Sequence, residues 1–168
     1  TPTNLGGFGF KSVNTGGARV SGYEFEVVGK GSVGKVDLTL LMGYTHTLPV
    51  STTPDQVYAT AVTSNTPPST YRNTSYDPTD NILKFRVQDL FRADLQTDYK
   101  RLMAGVSFRY NSHVRNIDRV FVDLDEANFL STGIAEWMPE HTTGDLIVDV
   151  RVGVDLTEVA RVAVIVNN

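Results

Sequence analysis

Gly29-Lys30-Gly31-Ser32-Val33-Gly34-Lys35 nearly matches the spacing of a phosphate-binding loop. Such a loop needs Ser or Thr after its lysine to hold magnesium, and a helix whose N-terminus meets the phosphates. Here Val36 follows, and Val36-Asp37-Leu38-Thr39-Leu40 alternates like a strand, so the segment reads as a Gly-rich hairpin. Asp118, Asp123, Asp125 and Glu126 are carboxylates at short spacing that could hold calcium, but the EF-hand glycine and ligand order are absent. They read as a solvated loop face. His46, His113 and His141 lie at strand ends or in long connections, where they could converge on a metal chelate or stand as separate surface residues. Ser112-His113 invites a nucleophile–base reading, yet adjacent residues of a strand point to opposite faces. Trp137, followed by Met138-Pro139, could stack on a ligand or pack within its loop. None of these groups assembles a reaction, so no catalytic, cofactor or metal residue is assigned and no enzyme is expected.

The elements that must position these residues are strands. Period-2 alternation is common and helical periodicity is scarce. Six strands are expected. Ala18 to Val28 puts Tyr23, Phe25 and Val27 against Gly22, Glu24 and Glu26. Val36 to Thr47 puts Leu38, Leu40, Met42 and Tyr44 against Asp37, Thr39, Gly43 and Thr45. Leu90 to Tyr99 puts Phe91, Ala93, Leu95 and Tyr99 against Arg92, Asp94, Gln96 and Asp98. Leu102 to Asn111 puts Leu102, Ala104, Val106, Phe108 and Tyr110 against Gly105, Ser107, Arg109 and Asn111. Asp145 to Leu156 puts Leu146, Val148, Val150, Val152 and Val154 against Asp149, Arg151 and Gly153. Ala160 to Asn168 puts Val162, Val164 and Val166 against Arg161, Ala163 and Asn167. A weaker seventh run, Leu83 to Gln88, alternates as well.

The connections carry more information. Gly29 to Gly34, Lys100-Arg101 and Asp155 to Val159 are short. Leu48 to Asn81 and Ser112 to Thr143 are long, and connections of that length are usually functional. Strict alternation of short and long is the pattern of an outer-membrane β-barrel, with turns on one side and loops on the other. Tyr23, Tyr44, Phe91, Tyr99, Phe108 and Tyr110 near strand ends fit interfacial girdles. A soluble sandwich alternates in the same way and also places aromatics near its ends, so pattern alone leaves both architectures open. In a barrel, Arg92, Asp94, Asp98, Arg109, Asp149 and Arg151 face the lumen, where they would pair with one another or with a plug.

The chain has 168 residues, which points to one domain. Its formal charge of −4 is too mild to argue for a nucleic-acid partner. The absence of cysteine excludes disulfides, thiolate metal sites and cysteine catalysis. No apolar run is long enough for a transmembrane helix. Thr1-Pro2-Thr3-Asn4 is neither an initiator nor a signal peptide, so the chain is expected to begin inside a mature protein or a larger precursor.

An ordered series of weak motifs then spans nearly the whole chain. It comprises Leu90-Phe91-Arg92-Ala93-Asp94-Leu95, Tyr99-Lys100, Gly105-Val106-Ser107-Phe108-Arg109-Tyr110-Asn111-Ser112 and Asn116-Ile117-Asp118. Gly144-Asp145, Val150-Arg151-Val152-Gly153 and Ala163-Val164-Ile165-Val166-Asn167-Asn168 continue it. Asn4 to Phe10 and Asn14 to Gly22 fit the end of a preceding loop. The series resembles the late barrel strands of TonB-dependent outer-membrane receptors of the Bacteroidetes type.

That resemblance implies an all-β fold, antiparallel and up-and-down, in which residues 1–168 form one segment of a large transmembrane β-barrel. The plug domain, the TonB-binding segment and the last strand would lie elsewhere in the parent. It implies transport of a scarce nutrient (a ferric siderophore, cobalamin, a glycan or a peptide) across the bacterial cell outer membrane. The implied partners are outer-membrane lipid, the rest of the barrel with its plug, TonB through an absent N-terminal segment, and a small-molecule nutrient at the extracellular loops, with no nucleic acid. Thr52 to Asp80 and Arg119 to Glu140 would be extracellular, and Lys30, Lys100 and Thr157 periplasmic. A soluble all-β ligand- or carbohydrate-binding module is the alternative, and a small closed barrel of its own is a third.

Overall fold

The structure, a computed structural model, describes residues 13–60 and 67–168. It is all-β. Six antiparallel strands, β1 (Ala18–Val33), β2 (Val36–Ser51), β5 (Asp89–Tyr99), β6 (Leu102–Asn111), β7 (Asp145–Thr157) and β8 (Ala160–Asn167), form one sheet in that spatial order. Each strand therefore pairs with the strand that follows it in this sheet. The connection from β2 to β5 contains a small ribbon, β3 (Val57–Ala59) with β4 (Ser69–Thr70). The connection from β6 to β7 contains two short helices, α1 (Arg119–Glu126) and α2 (Ile134–Glu140). The expected opening-loop segment Asn4 to Phe10 lies outside the described residues.

Three expectations need correction. The Gly29 to Gly34 hairpin loop is only Gly34-Lys35, and Gly29 to Val33 continues β1 in register with Val36 to Leu40. Glycine at 34 suits a turn with φ of +64°, which most side chains resist. Leu83 to Gln88 is not a strand. The chain bridges the sheet once, at Ile82 with Val50, and then turns away through Phe85 at φ +58°. The third correction is that Asp123, Asp125 and Glu126, expected on a loop face, lie in helix α1.

Register places every side chain. One face carries the cross-strand row Phe25, Tyr44, Phe91, Tyr110, Leu146 near the end that bears the long connections. Next come Val27, Met42, Ala93, Phe108 and Val148, then Leu40, Leu95, Val106, Val150 and Val166. Val33, Val36, Leu102, Val154 and Val162 finish it at the turn end, with Tyr99 beside Leu102. The opposite face carries Glu24, Glu26, Asp37, Arg92, Asp94, Gln96, Asp98, Ser107, Arg109, Asp149 and Arg151. The β-branched and aromatic content suits a pleated surface, and the alternation fixes which surface is which, although Val28, Leu41, Leu90, Ile147 and Ile165 interrupt it on the polar face.

The polar face bears a cavity of about 410 Å³ lined by Glu24, Glu26, Arg92, Arg109 and Asn111 among others, and is called the concave face for that reason. The opposite, convex face is apolar, and among the described residues no second sheet or helix packs on either face. Tyr23, Phe25, Leu102, Leu146, Val152 and Val164 are all exposed there. The buried apolar side chains, Tyr71, Ile82, Ile117, Val122 and Met138, lie instead in the two long connections beyond the sheet end.

Candidate functional site

The two long connections form one body, a cap. Asn116 has no exposed surface. Its side-chain amide donates to the carbonyls of Asp77 (3.0 Å) and Asp80 (3.1 Å), and its Oδ1 accepts the Asp77 N–H at 3.1 Å. Lys84 donates to Asp118 at 2.6 Å and to the Thr74 carbonyl and hydroxyl at 2.9 Å, with its ammonium 4.9 Å from the centre of the Tyr71 ring. The Tyr71 hydroxyl donates to the Ile82 carbonyl. Burial is the main reason that its phenol is pushed up to about 12. Arg115 pairs with Asp80 at 2.7 Å. Ser112 Oγ accepts the N–H of Gln88 (2.9 Å) and Asp89 (3.0 Å), which ties the two connections together where they leave the sheet.

The expected carboxylate cluster is dispersed among structural tasks. Asp118 holds Lys84, and Asp123 pairs with Arg119 one helical turn away. Asp125 accepts the N–H groups of Thr132, Gly133 and Ala135, clamping α1 to the start of α2. Those donors, Ala135 first, hold its carboxyl below the usual range. Asp77 is lowered by the Thr79 hydroxyl and N–H. The described residues contain no group of three or more acidic or histidine side chains that could hold a metal.

The histidines do not converge. His46 sits near the loop end of the convex face, 2.7 Å from Asp89 and stacked on Tyr23. Asp89 also accepts the Tyr44 hydroxyl at 2.6 Å. His113 is half-buried in the coil after β6. His141 stacks on Trp137 with ring centres 4.3 Å apart, so Trp137 packs within its own connection. Ser112 is engaged by backbone N–H groups and is no nucleophile for His113.

The expected pairing of charges on the polar face occurs, and it reaches further than neighbouring strands. Arg151 of β7 lies over Gly105 of β6 and grips Asp94 of β5 through two bonds of 2.6 and 2.8 Å. Ser107 joins both partners, donating to Asp94 at 2.5 Å and accepting from Arg151 at 2.9 Å. A Cβ at position 105 would lie 2.5 Å from Arg151 Nε, so glycine there keeps the path open. Arg109 donates to Asp149 at 2.8 Å, and Asp98 accepts from Gln96 at 2.9 Å. Arg92 pairs with no acid among the described residues. Asn116 enters the sequence reading only within a motif, and Lys84 and Gly43 only as members of alternating runs, although glycine at a polar-face position of a strand is a readable sign of close approach or open space.

No protein family, curated protein or solved structure shows a significant match to this chain.

Proposed function

We propose that the chain is part of the wall of a bacterial outer-membrane β-barrel of the TonB-dependent receptor kind, which imports a scarce nutrient and performs no covalent chemistry. The observation that carries this reading is a sheet with most of its charges and a cavity on one face and a continuous apolar surface on the other, neither covered by another element among the described residues. A sheet folded in water buries its apolar face against another layer. Each Val, Leu or Phe left in water forfeits about 2 kcal/mol, and the convex face exposes enough of them to overwhelm a stability of about 5–15 kcal/mol. Lipid against the convex face removes that cost.

The dimensions agree. From the Phe91 row to the Tyr99 row β5 advances roughly 26 Å at about 3.3 Å per residue. A barrel tilt of about 40° reduces this to roughly 20 Å of height, near the apolar band of about 25 Å typical of such barrels. Phe25, Tyr44, Phe91 and Tyr110 bound the band at the loop end as an interfacial girdle does, and Tyr99 stands at the turn end. The outer edges of β1 and β8 have no partner strand among the described residues, and in lipid every edge N–H and C=O needs one, so the proposed remainder of the wall would lie against them. The cap sits where an extracellular ligand is captured, and the two-residue turns face the periplasm. Ferric siderophores, cobalamin, glycans and peptides are the cargo classes considered.

Nitroxide labels at Leu40 and Val150 test the reading in the reconstituted protein. Both should be relaxed strongly by oxygen and weakly by a water-soluble relaxer. Labels that report a dry protein core, or a chain that is a monodisperse monomer in buffer without detergent, would favour a soluble binding module instead.

A further inference from the structure

Two glycines on the polar face create the same geometry with opposite outcomes. At Gly105 a side chain crosses from β7 to an acid on β5, and the space above the glycine is filled by the Arg151 guanidinium. At Gly43 of β2 the flanking strands again carry acids on one side and bases on the other. Glu24 and Glu26 stand on β1, Arg92 on β5 and Arg109 on β6. Here nothing crosses. A Cβ at position 43 would meet no atom closer than the Phe25 carbonyl oxygen at 3.8 Å, and the space above opens into the cavity of about 410 Å³.

The charges around that notch are unspent. Glu24, Glu26 and Arg92 make no ion pair among the described residues. Arg92 stands directly opposite Arg109, a like-charge cross-strand pair that costs stability unless an anion lies between them. Arg109 uses one nitrogen on Asp149 and keeps further donors of its fork. The notch is thus dipolar: an acid wall on β1, a base wall on β5 and β6, and a glycine floor, with Leu41, Leu90 and Ile147 as apolar flanks. The β1 and β5 backbones lie roughly 10 Å apart, two strand spacings. With the side chains reaching in from both walls, the gap suits a ligand whose opposite charges are a few ångströms apart.

We infer that the Gly43 notch binds a zwitterionic small molecule of the amino-acid or short-peptide class, its ammonium against Glu24 and Glu26 and its carboxylate against Arg92 and Arg109. A lone anion would face the glutamates and a lone cation the arginines, so neither fits as well. The inference rests on the proposed barrel reading, with the cap end of the concave face open to water rather than to the plug. The nitroxide experiment at Leu40 and Val150 tests that reading by itself, so its failure is distinguishable from failure of the notch.

Glycylglycine titrated into the protein in detergent micelles tests the notch, read by calorimetry and by the Arg92 Nε–Hε resonance. Glycylglycine should bind and move that resonance, whereas acetate mixed with methylammonium at equal concentration should not. Arg92→Gln and Glu26→Gln should each weaken binding roughly tenfold or more, and Arg92→Lys should restore part of it. Gly43→Val should abolish binding by filling the floor. Arg92→Gln, at an exposed position, serves should Gly43→Val fail to fold. An unmoved Arg92 resonance at saturating glycylglycine, equal response to the separate ions, or unchanged affinity in Arg92→Gln would each overturn the inference.

Discussion

Arg151 shows how a single side chain can brace three strands. Its guanidinium closes on Asp94 only because Gly105 leaves the crossing open and Ser107 fills the remaining hydrogen-bonding sites. Arg151→Ala should lower the stability of the micelle-bound protein by about 1–2 kcal/mol, since both partners are only partly exposed. Gly105→Leu should cost a similar amount by displacing the arginine, and the double variant should lose little more. Chemical denaturation of the four proteins checks the coupling. Asn116 is the corresponding device in the cap. Its removal leaves two buried carbonyls and one N–H unpaired, so Asn116→Ala should destabilise the cap by about 2–4 kcal/mol. Alternation assigned Arg151 and Asp94 to one face from sequence, because strand period is short and strict. The bond skipping over β6 was not readable, since it depends on register, and the role of Asn116 depends on a connection far away in sequence.

The cap elements are held by carboxylates more than by apolar area. Asp125 and Asp77 have folded values below those of the unfolded chain, so they contribute stability above the ordinary carboxylate range and lose it on acidification. The cap should loosen as pH falls below about 4. Trp137, the only tryptophan, reports on α2 by fluorescence, and Asp125→Asn should flatten this acid limb. Tyr71 works in the opposite sense. Its folded value is raised, so its contribution is complete below pH 10 or so and fades as pH climbs toward about 12. Tyr71→Phe should remove that alkaline limb. The sequence concealed α1 and α2 because each spans only about two turns and Pro139 interrupts α2. Leu83 to Gln88 misled in the other direction: its alternation is real, but Leu83 donates to the Pro49 carbonyl and the chain then departs. In β1, Gly29 and Gly31 mimicked a turn although each is paired within the sheet.

Across the whole molecule, the two faces of the sheet make opposite demands on their surroundings. Val150→Arg or Leu40→Arg should cost about 2–4 kcal/mol in the lipid-reconstituted protein if the site lies near the bilayer midplane, measured by reversible unfolding. The same charges on the concave face, for example at Ser107, should lack this depth dependence. The strand order and both faces were legible in the sequence because every strand pairs with its successor in the sheet. The cavity on the polar face was not, because a period of two residues says which side chains share a face and nothing about the space left between them.

The position of Ser112 has a kinetic consequence. The β1–β2, β5–β6 and β7–β8 hairpins can zip on their own at low loop-closure cost, whereas the β2–β5 and β6–β7 ladders close across the long connections. The cap core draws Tyr71 and Ile82 from one side of the β5–β6 hairpin and Ile117, Val122 and Met138 from the other. It therefore cannot close until that hairpin has brought residues 88 and 112 together. A slip of one residue between β5 and β6 would exchange the faces of one strand and also move Ser112 off the N–H groups it accepts. Cap closure thus proofreads the sheet, and a mispaired sheet announces itself by an open cap.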